Sequence, residues 1–354
     1  MKFLLLRNDL SLRSHWLAAA CCLLLLAPPV VFARTTKLSA HGVNPAVQAE
    51  PPYSVSLFTQ GVPGEYSAPD SITFNTSNIY IGWGNNGDPE GGNSIPSTII
   101  EYDFNGNIIN QVNIIGHNDG LKINPQSGDL WATVNEDGNS RLYIMDPQTL
   151  AMKHSYFLGT GPHGGGYDDI VFLNGNVYLA CSNPTHNPNN EPAIVQFTAS
   201  GNNFTLTPVL YGNAFATDIP TGQQVQLNLQ DPDSMTYNIA GEIVLDSQAD
   251  GELVVVRNPG AGQSVYRVLL SVNGGAITVD DTDFLTDSAG VLLVADTAGD
   301  AVYEITAPFL EPGSAYSASD TGGFVGTLDF ETGVLTPVVT GMVSPHGMMF
   351  IPQH

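Results

Sequence analysis

Six short segments of the chain begin with an acid or an imidazole and continue as an alternating apolar run. They are Pro69-Asp70-Ser71-Ile72-Thr73-Phe74, Asn118-Asp119-Gly120-Leu121-Lys122-Ile123 and Asp168-Asp169-Ile170-Val171-Phe172, then Pro232-Asp233-Ser234-Met235-Thr236-Tyr237, Asp280-Asp281-Thr282-Asp283-Phe284-Leu285 and Pro345-His346-Gly347-Met348-Met349-Phe350. Measured at Asp70, Asp119, Asp168, Asp233, Asp281 and His346, the steps are 49, 49, 65, 48 and 65 residues. Carboxylates gathered in one place repel, so either one keeps its proton or a cation sits among them. Oxygen donors suit Ca²⁺, Mg²⁺ or Mn²⁺, and imidazoles such as His346, His117 or His163 widen the choice to Zn²⁺. Any single Asp in such a place serves equally well as a turn cap, bonding backbone N–H groups. The recurrence in register is what argues for a shared site.

The elements that must position these groups are strands. A second run follows five of the six segments: NIYIGW (78–83), DLWATV (129–134), NVYLAC (176–181), EIVLDS (242–247) and VLLVAD (291–296). Third runs follow in turn: TIIEYD (98–103), RLYIMD (141–146), AIVQFT (193–198), ELVVVR (252–257) and AVYEIT (301–306). Asn-Gly, Asp-Gly and Ala-Gly turns join such runs into hairpins. Amphipathic helical periodicity is absent. A unit of about 40 to 50 residues, lengthened in places by insertions, is the spacing of propeller blades.

The expected fold is therefore an all-β single propeller, with six blades favoured over five. The sixth inner strand ends the chain near Ile351, so its partners are assigned to the Tyr53–Phe58 run and to 324–339, joining N- and C-terminal strands. Inner strands line the central channel, and the repeated acids then form a ring at its mouth. Asp281 fits that ring least well, because Asp283 falls where an apolar residue is expected.

Composition sets the outer bounds. The chain has 354 residues, 10 Lys+Arg against 34 Asp+Glu, and a formal charge of -24. That balance excludes nucleic acid and anionic membrane surfaces as partners, since both require basic patches. With 12% charged and 42% hydrophobic residues, the chain is no disordered acidic tail either. Residues 1–33 read as a signal peptide: Lys2, Arg7 and Arg13 precede an apolar run that ends at Val31-Phe32-Ala33. Export to the periplasm or the extracellular space follows, without membrane contact after cleavage. Residues 34–52 read as a flexible lead-in and 53–354 as the propeller domain, expected to be a monomer. Once the leader is removed Cys181 stands alone, so no internal disulfide forms.

The stretch Asn118-Asp119-Gly120, Pro125, Gly128, Leu130-Trp131 and Thr133 resembles the Asn-Asp-Gly…Pro…Gly…Thr stretch of the regucalcin/gluconolactonase family. Pro232-Asp233-Ser234-Met235 is similar to that family's Asp-Gly-Met segment. The resemblance implies a six-bladed propeller with one divalent cation in the channel, Ca²⁺ favoured, and a lactone or ester as a small-molecule substrate. Carried onto this sequence, it puts Asp70, Asp168 and Asp233 on the metal with Asn118 supporting them. Asp119, His163 or His346 then serves as general base. This chain departs from the pattern where Asp70 is shorter than the family's Glu, Asp168 replaces a neutral amide and Ser234 replaces Gly. A non-catalytic module for a protein, glycan or small ligand is the competing reading, with a carbon–oxygen lyase on the same scaffold third.

Other signatures lead nowhere. Gly159-x-Gly161-x-x-Gly164 is followed by a strand, so no helix N-terminus receives a pyrophosphate. Gly-x-Ser-x-Gly, His-Glu-x-x-His and Cys-x-x-Cys do not occur. Cys181 reads as a small buried hydrophobe and Trp83 as a core residue. The insertions 183–192, with His186, and 308–323 are surface loops or lids over a channel mouth.

Overall fold

The computed structural model describes residues 44–353, and the leader 1–33 lies outside them. Alternating apolar residues and glycine-rich turns produce antiparallel strands that gather into six sheets. Within each sheet one strand is innermost, and these strands touch in a closed ring. They are Pro69–Phe74, Asn118–Ile123, Ile170–Leu173, Pro232–Tyr237, Asp281–Phe284 and Pro345–Pro352. The protein is a β-propeller, and each of the six repeated segments supplies the inner strand of one blade.

The core has the same sixfold order. Six apolar clusters lie between neighbouring blades, because each sheet is apolar on both faces and must be covered on both. Trp83 and Cys181 are both fully buried in two of these clusters. In the first four blades the chain runs outward from the inner strand through four successive strands. The fourth blade adds Phe215–Asp218 and Gln224–Gln226, from before its inner strand, at its outer edge.

The last two blades do not follow that order. After Asp281–Phe284 the chain crosses into the neighbouring blade and forms the hairpin Gly290–Asp296 and Ala301–Thr306. It then returns as Ala315–Ser319, Phe324–Asp329 and Val334–Thr340 to complete the fifth blade. The 291–306 runs therefore belong to the sixth blade, and 324–339 to the fifth, the reverse of the expected assignment. A second strand has the same alternation in either blade, so only packing selects its neighbour. The segment 308–323 is accordingly no simple insertion, since it carries a strand of blade five.

Ring closure occurs as expected in kind. Ser54–Gln60 is the outer strand of the sixth blade, whose inner strand is Pro345–Pro352. The lead-in is described from Asn44 onward, and there it is bound to the sheet. Gln48 and Ala49 pair with Thr340 and Val339, while Val47 is buried among apolar residues. Among the described residues no helix is long and apolar enough to cross a membrane.

Candidate functional site at the channel mouth

All six inner strands start at the same end of the channel, so their first residues converge there. The acid doublets show how the backbone sorts them. In Asp168-Asp169 the second carboxylate accepts the Met235 amide of the next inner strand at 3.0 Å. In Asp280-Asp281 it likewise accepts the Met348 amide at 2.7 Å. Alternation then turns the first acid of each pair to the mouth. Asp280, and not Asp281, thus occupies the ring, correcting the fifth position by one residue.

The mouth holds two groups of metal-competent side chains. Donor atoms of Asp70, Asp280 and His346 lie within 4.8 Å of one another, as do those of His117, Asp119 and Glu136. His346 Nδ1 is 3.2 Å from Asp280 Oδ1 and 3.8 Å from Asp70 Oδ1. Its Nε2 is 3.0 Å from Ser344 Oγ, and Gln248 donates to Asp280 at 2.9 Å. His117 Nδ1 sits 3.0 and 3.1 Å from the two Glu136 oxygens. Asp168 and Asp233 share a hydrogen bond with each other.

Electrostatics couples these groups. Burial, then Asp119 and Asp280, holds the Asp70 carboxyl well above its ordinary range. Asp168 and Asp280 rise for the same reason, burial first and Asp119 next. Asp233 is raised by burial and by Asp168. Asp119 is raised by burial although His117 and His346 oppose it. Glu136 is pushed up to about 8 by burial and Asp119, against the pull of His117. Burial disfavours the His117 cation, but the bond and charge of Glu136 outweigh it and lift the ring to about 9. Burial holds His346 below its usual value against the Asp119 charge. Among the described residues, no Lys or Arg is paired with Asp70, Asp119, Asp168, Asp233 or Asp280. An array of oxygen donors that repel one another, joined by two imidazoles, is the donor set that a divalent cation satisfies.

The sequence-derived residues separate accordingly. Asp70, Asp119, Asp168, Asp233 and His346 are brought together. Asn118 is at the same strand start, but its side chain is committed to the blades. Its amide donates to the Gly120 and Thr133 carbonyls at 3.0 and 2.8 Å, and its oxygen accepts from Ser71. His163 is fully buried, with Nε2 bonded to the Gly166 carbonyl at 2.7 Å, outside both clusters. His186 is exposed on its loop. Glu136 and Asp280 were not among the expected site residues. Their sequence signals were modest: Glu136 comes two residues after a second strand, and Asp280 heads a doublet.

One layer below the mouth, Lys122 Nζ lies 3.0 Å from Asp169 Oδ2. Burial disfavours its charge, but Asp169 and Asp281 hold it strongly protonated. A small void between this layer and the mouth is lined by Asp70, Asp119, Asp168, Lys122 and Asp281.

No protein-family model matches the sequence, and no curated protein matches it. Solved structures are similar in fold. A Bacteroides caccae protein of unknown function is 11% identical with a TM-score of 0.51, over 82% of this chain and 89% of that one. Virginiamycin B lyase from Staphylococcus aureus, in an inactive form with quinupristin, is 10% identical with a TM-score of 0.49, over 85% and 94%. A periplasmic gluconolactonase from Pseudomonas aeruginosa is 12% identical with a TM-score of 0.46, over 80% and 88%.

Proposed function

We propose that the channel mouth binds a divalent cation, Ca²⁺ in preference to Zn²⁺, Mn²⁺ or Mg²⁺, and that the exported protein uses it to hydrolyse a small lactone or ester. The observation that supports this is the convergence of Asp70, Asp119, Asp168, Asp233 and Asp280 with two imidazoles and no neutralising base. Asp70, Asp280 and His346 would hold the ion, with Asp168 and Asp233 completing the acidic wall. A cation so held supplies positive charge to polarise a carbonyl oxygen and to favour attack by water. The remaining work falls to the chain. His117 is oriented through Nδ1 by Glu136 and moves a proton at the mouth, next to Asp119. Burial of the surrounding carboxyls keeps competing water out and strengthens each charge interaction. Asn118 serves as a positioning residue by clamping the strand that presents Asp119.

A carbon–oxygen lyase is the second reading. The His117–Glu136 pair favours it, because an imidazole lifted to about 9 and a carboxyl lifted to about 8 can pass a proton between substrate and protein without any attacking water.

The deciding experiment combines elemental analysis with turnover. Purified protein is stripped with EDTA, reloaded with Ca²⁺, Mn²⁺ or Zn²⁺, and tested on aldonolactones, aryl esters and cyclic depsipeptides. Reloading is expected to restore activity and, at a hundredfold excess over the dissociation constant, to add about 2.7 kcal/mol of stability. Products that lack an added water identify the lyase. If no ion is bound and the melting curve ignores both EDTA and metal, the cation reading fails. If ions bind but no substrate turns over, the mouth is a ligand-binding module.

A further inference from the structure

The opposite end of the channel is built differently. Below the Lys122 layer the six inner strands diverge around a cavity of about 370 Å³. Its walls are apolar and largely aromatic: Phe74, Phe172, Met235, Tyr237, Met349 and Phe350. Two charged groups also face it, Lys122 and Asp283. A concave, mostly apolar cavity of this size with a few polar anchors is the ordinary form of a small-molecule site.

Its rim is unusually apolar for solvent-facing surface. Tyr237 is 51% exposed, Ile239 70% and Phe309 64%. The segment that carries Phe309 flanks this opening, because Leu310 donates to the Ser288 carbonyl and Gly313 to that of Leu285. The backbone at Gly313 also lies close against the Ile239 side chain. The 310–313 stretch thus packs beside Leu285, Ser288 and Ile239, close in sequence to the Phe284, Thr286 and Tyr237 wall of the cavity.

Charge selects the ligand class. Lys122 is already held by Asp169, with Asp281 and Asp283 adding to its stabilisation. Three carboxyls therefore face one ammonium, in a protein of charge -24. Each Asp283 oxygen accepts one backbone amide, from Phe284 at 2.8 Å and from Phe350 at 2.6 Å. A carboxylate oxygen has room for a further donor. An anionic ligand would meet net repulsion there, whereas a cationic head can join Asp283 and lay its body along the aromatic wall.

We propose that the lower cavity is a second binding site, taking a small organic cation with an apolar body, of the arylalkylamine class. This site is independent of the cation reading at the upper mouth.

The test is calorimetric titration of the purified protein with phenylbutylamine and with phenylbutyrate, which has the same shape and the opposite charge. Trp131 packs edge-on against Phe172 at 5.2 Å, so its fluorescence offers a second readout from the cavity wall. The amine is expected to bind at least about tenfold more tightly than the carboxylate. Thr286, exposed at the opening, allows a blocking variant that leaves the core intact: Thr286→Phe should weaken amine binding about tenfold or more. Asp283→Asn should erase the preference for the amine over the carboxylate. Equal or tighter binding of the carboxylate overturns the proposal, as does unchanged binding in Thr286→Phe or no binding of either probe at millimolar concentration. Titrations with EDTA and with excess Ca²⁺ separate the two ends of the channel. Amine binding that persists in both supports the lower site. Amine binding displaced by Ca²⁺ places the amine in the acid mouth and overturns the proposal, while leaving the cation reading standing.

Discussion

At Asp280 and Asp281 two adjacent carboxyls do different work. Asp281 closes a hydrogen bond to the next blade, and Asp280 contributes charge to the mouth. The acids of the mouth bind protons more tightly in the folded chain than in the unfolded one, with Glu136 near 8. Asp281, one layer below, adds a value near 7. The folded state therefore holds more protons, and metal-free stability must fall as pH rises from about 4 toward 8. His117, raised to about 9, acts in the same direction, whereas His346, held low, opposes it below about 6.5. Thermal melts of EDTA-treated protein at pH 5 and pH 8 check this, with the lower pH expected to give the higher Tm. Asp70→Asn removes one repelling charge and keeps its shape. It is expected to raise the metal-free Tm at pH 8 by about 2–6 °C, a gain of about 1–2 kcal/mol. The same change should abolish the response to Ca²⁺.

Among the elements, the inner strands depend on close approach. A side chain at Gly347 would overlap the Asp70 carbonyl oxygen, and one at Gly120 would overlap Thr133 and the Asp168 backbone. Both glycines sit where the inner strand of one blade presses on the next, so they set the diameter of the acid ring. Gly347→Ala is expected to cost about 2–3 kcal/mol, because the obstructing atoms are backbone and cannot swing away. Denaturant titration would check it, and an unchanged midpoint would show that the ring tolerates expansion. The 290–306 hairpin teaches a different lesson about elements. Its alternation made it a strand pair in any reading, but its blade is chosen by the Leu292 and Val294 face, which packs with Tyr316 and Val339 across the blade boundary.

For the whole molecule, closure rests on a strand far away in sequence. Ser54–Gln60 pairs with Ala301–Thr306, and the preceding Gln48–Ala49 pairs beside Val339 and Thr340. The N-terminal segment thus binds both the fifth and the sixth blades. A chain beginning after Gln60 would expose the 301–306 edge and leave the sixth blade with three strands. We expect it to melt at least about 5 °C lower and to self-associate through that edge, as measured by thermal circular dichroism and size-exclusion chromatography. Equal stability would show that the ring closes without its N-terminal strand.

The sequence by itself determined the strands, the repeat and five of the six channel positions. Those features are local: alternation, turn chemistry and an acid before each run all lie within a few residues. Tertiary structure alone decided the remainder. Which of two neighbouring acids faces the mouth depends on which amide the next blade presents, as Asp169 with Met235 and Asp281 with Met348 show. Glu136 joins His117 across 19 residues because two strand ends meet at one rim. Asn118 is withdrawn because three hydrogen bonds claim it, one within its own strand to Gly120 and two to the neighbouring strands at Thr133 and Ser71. The crossing between the fifth and sixth blades was equally invisible, since identical alternation suits either sheet and only burial against a particular neighbour distinguishes them.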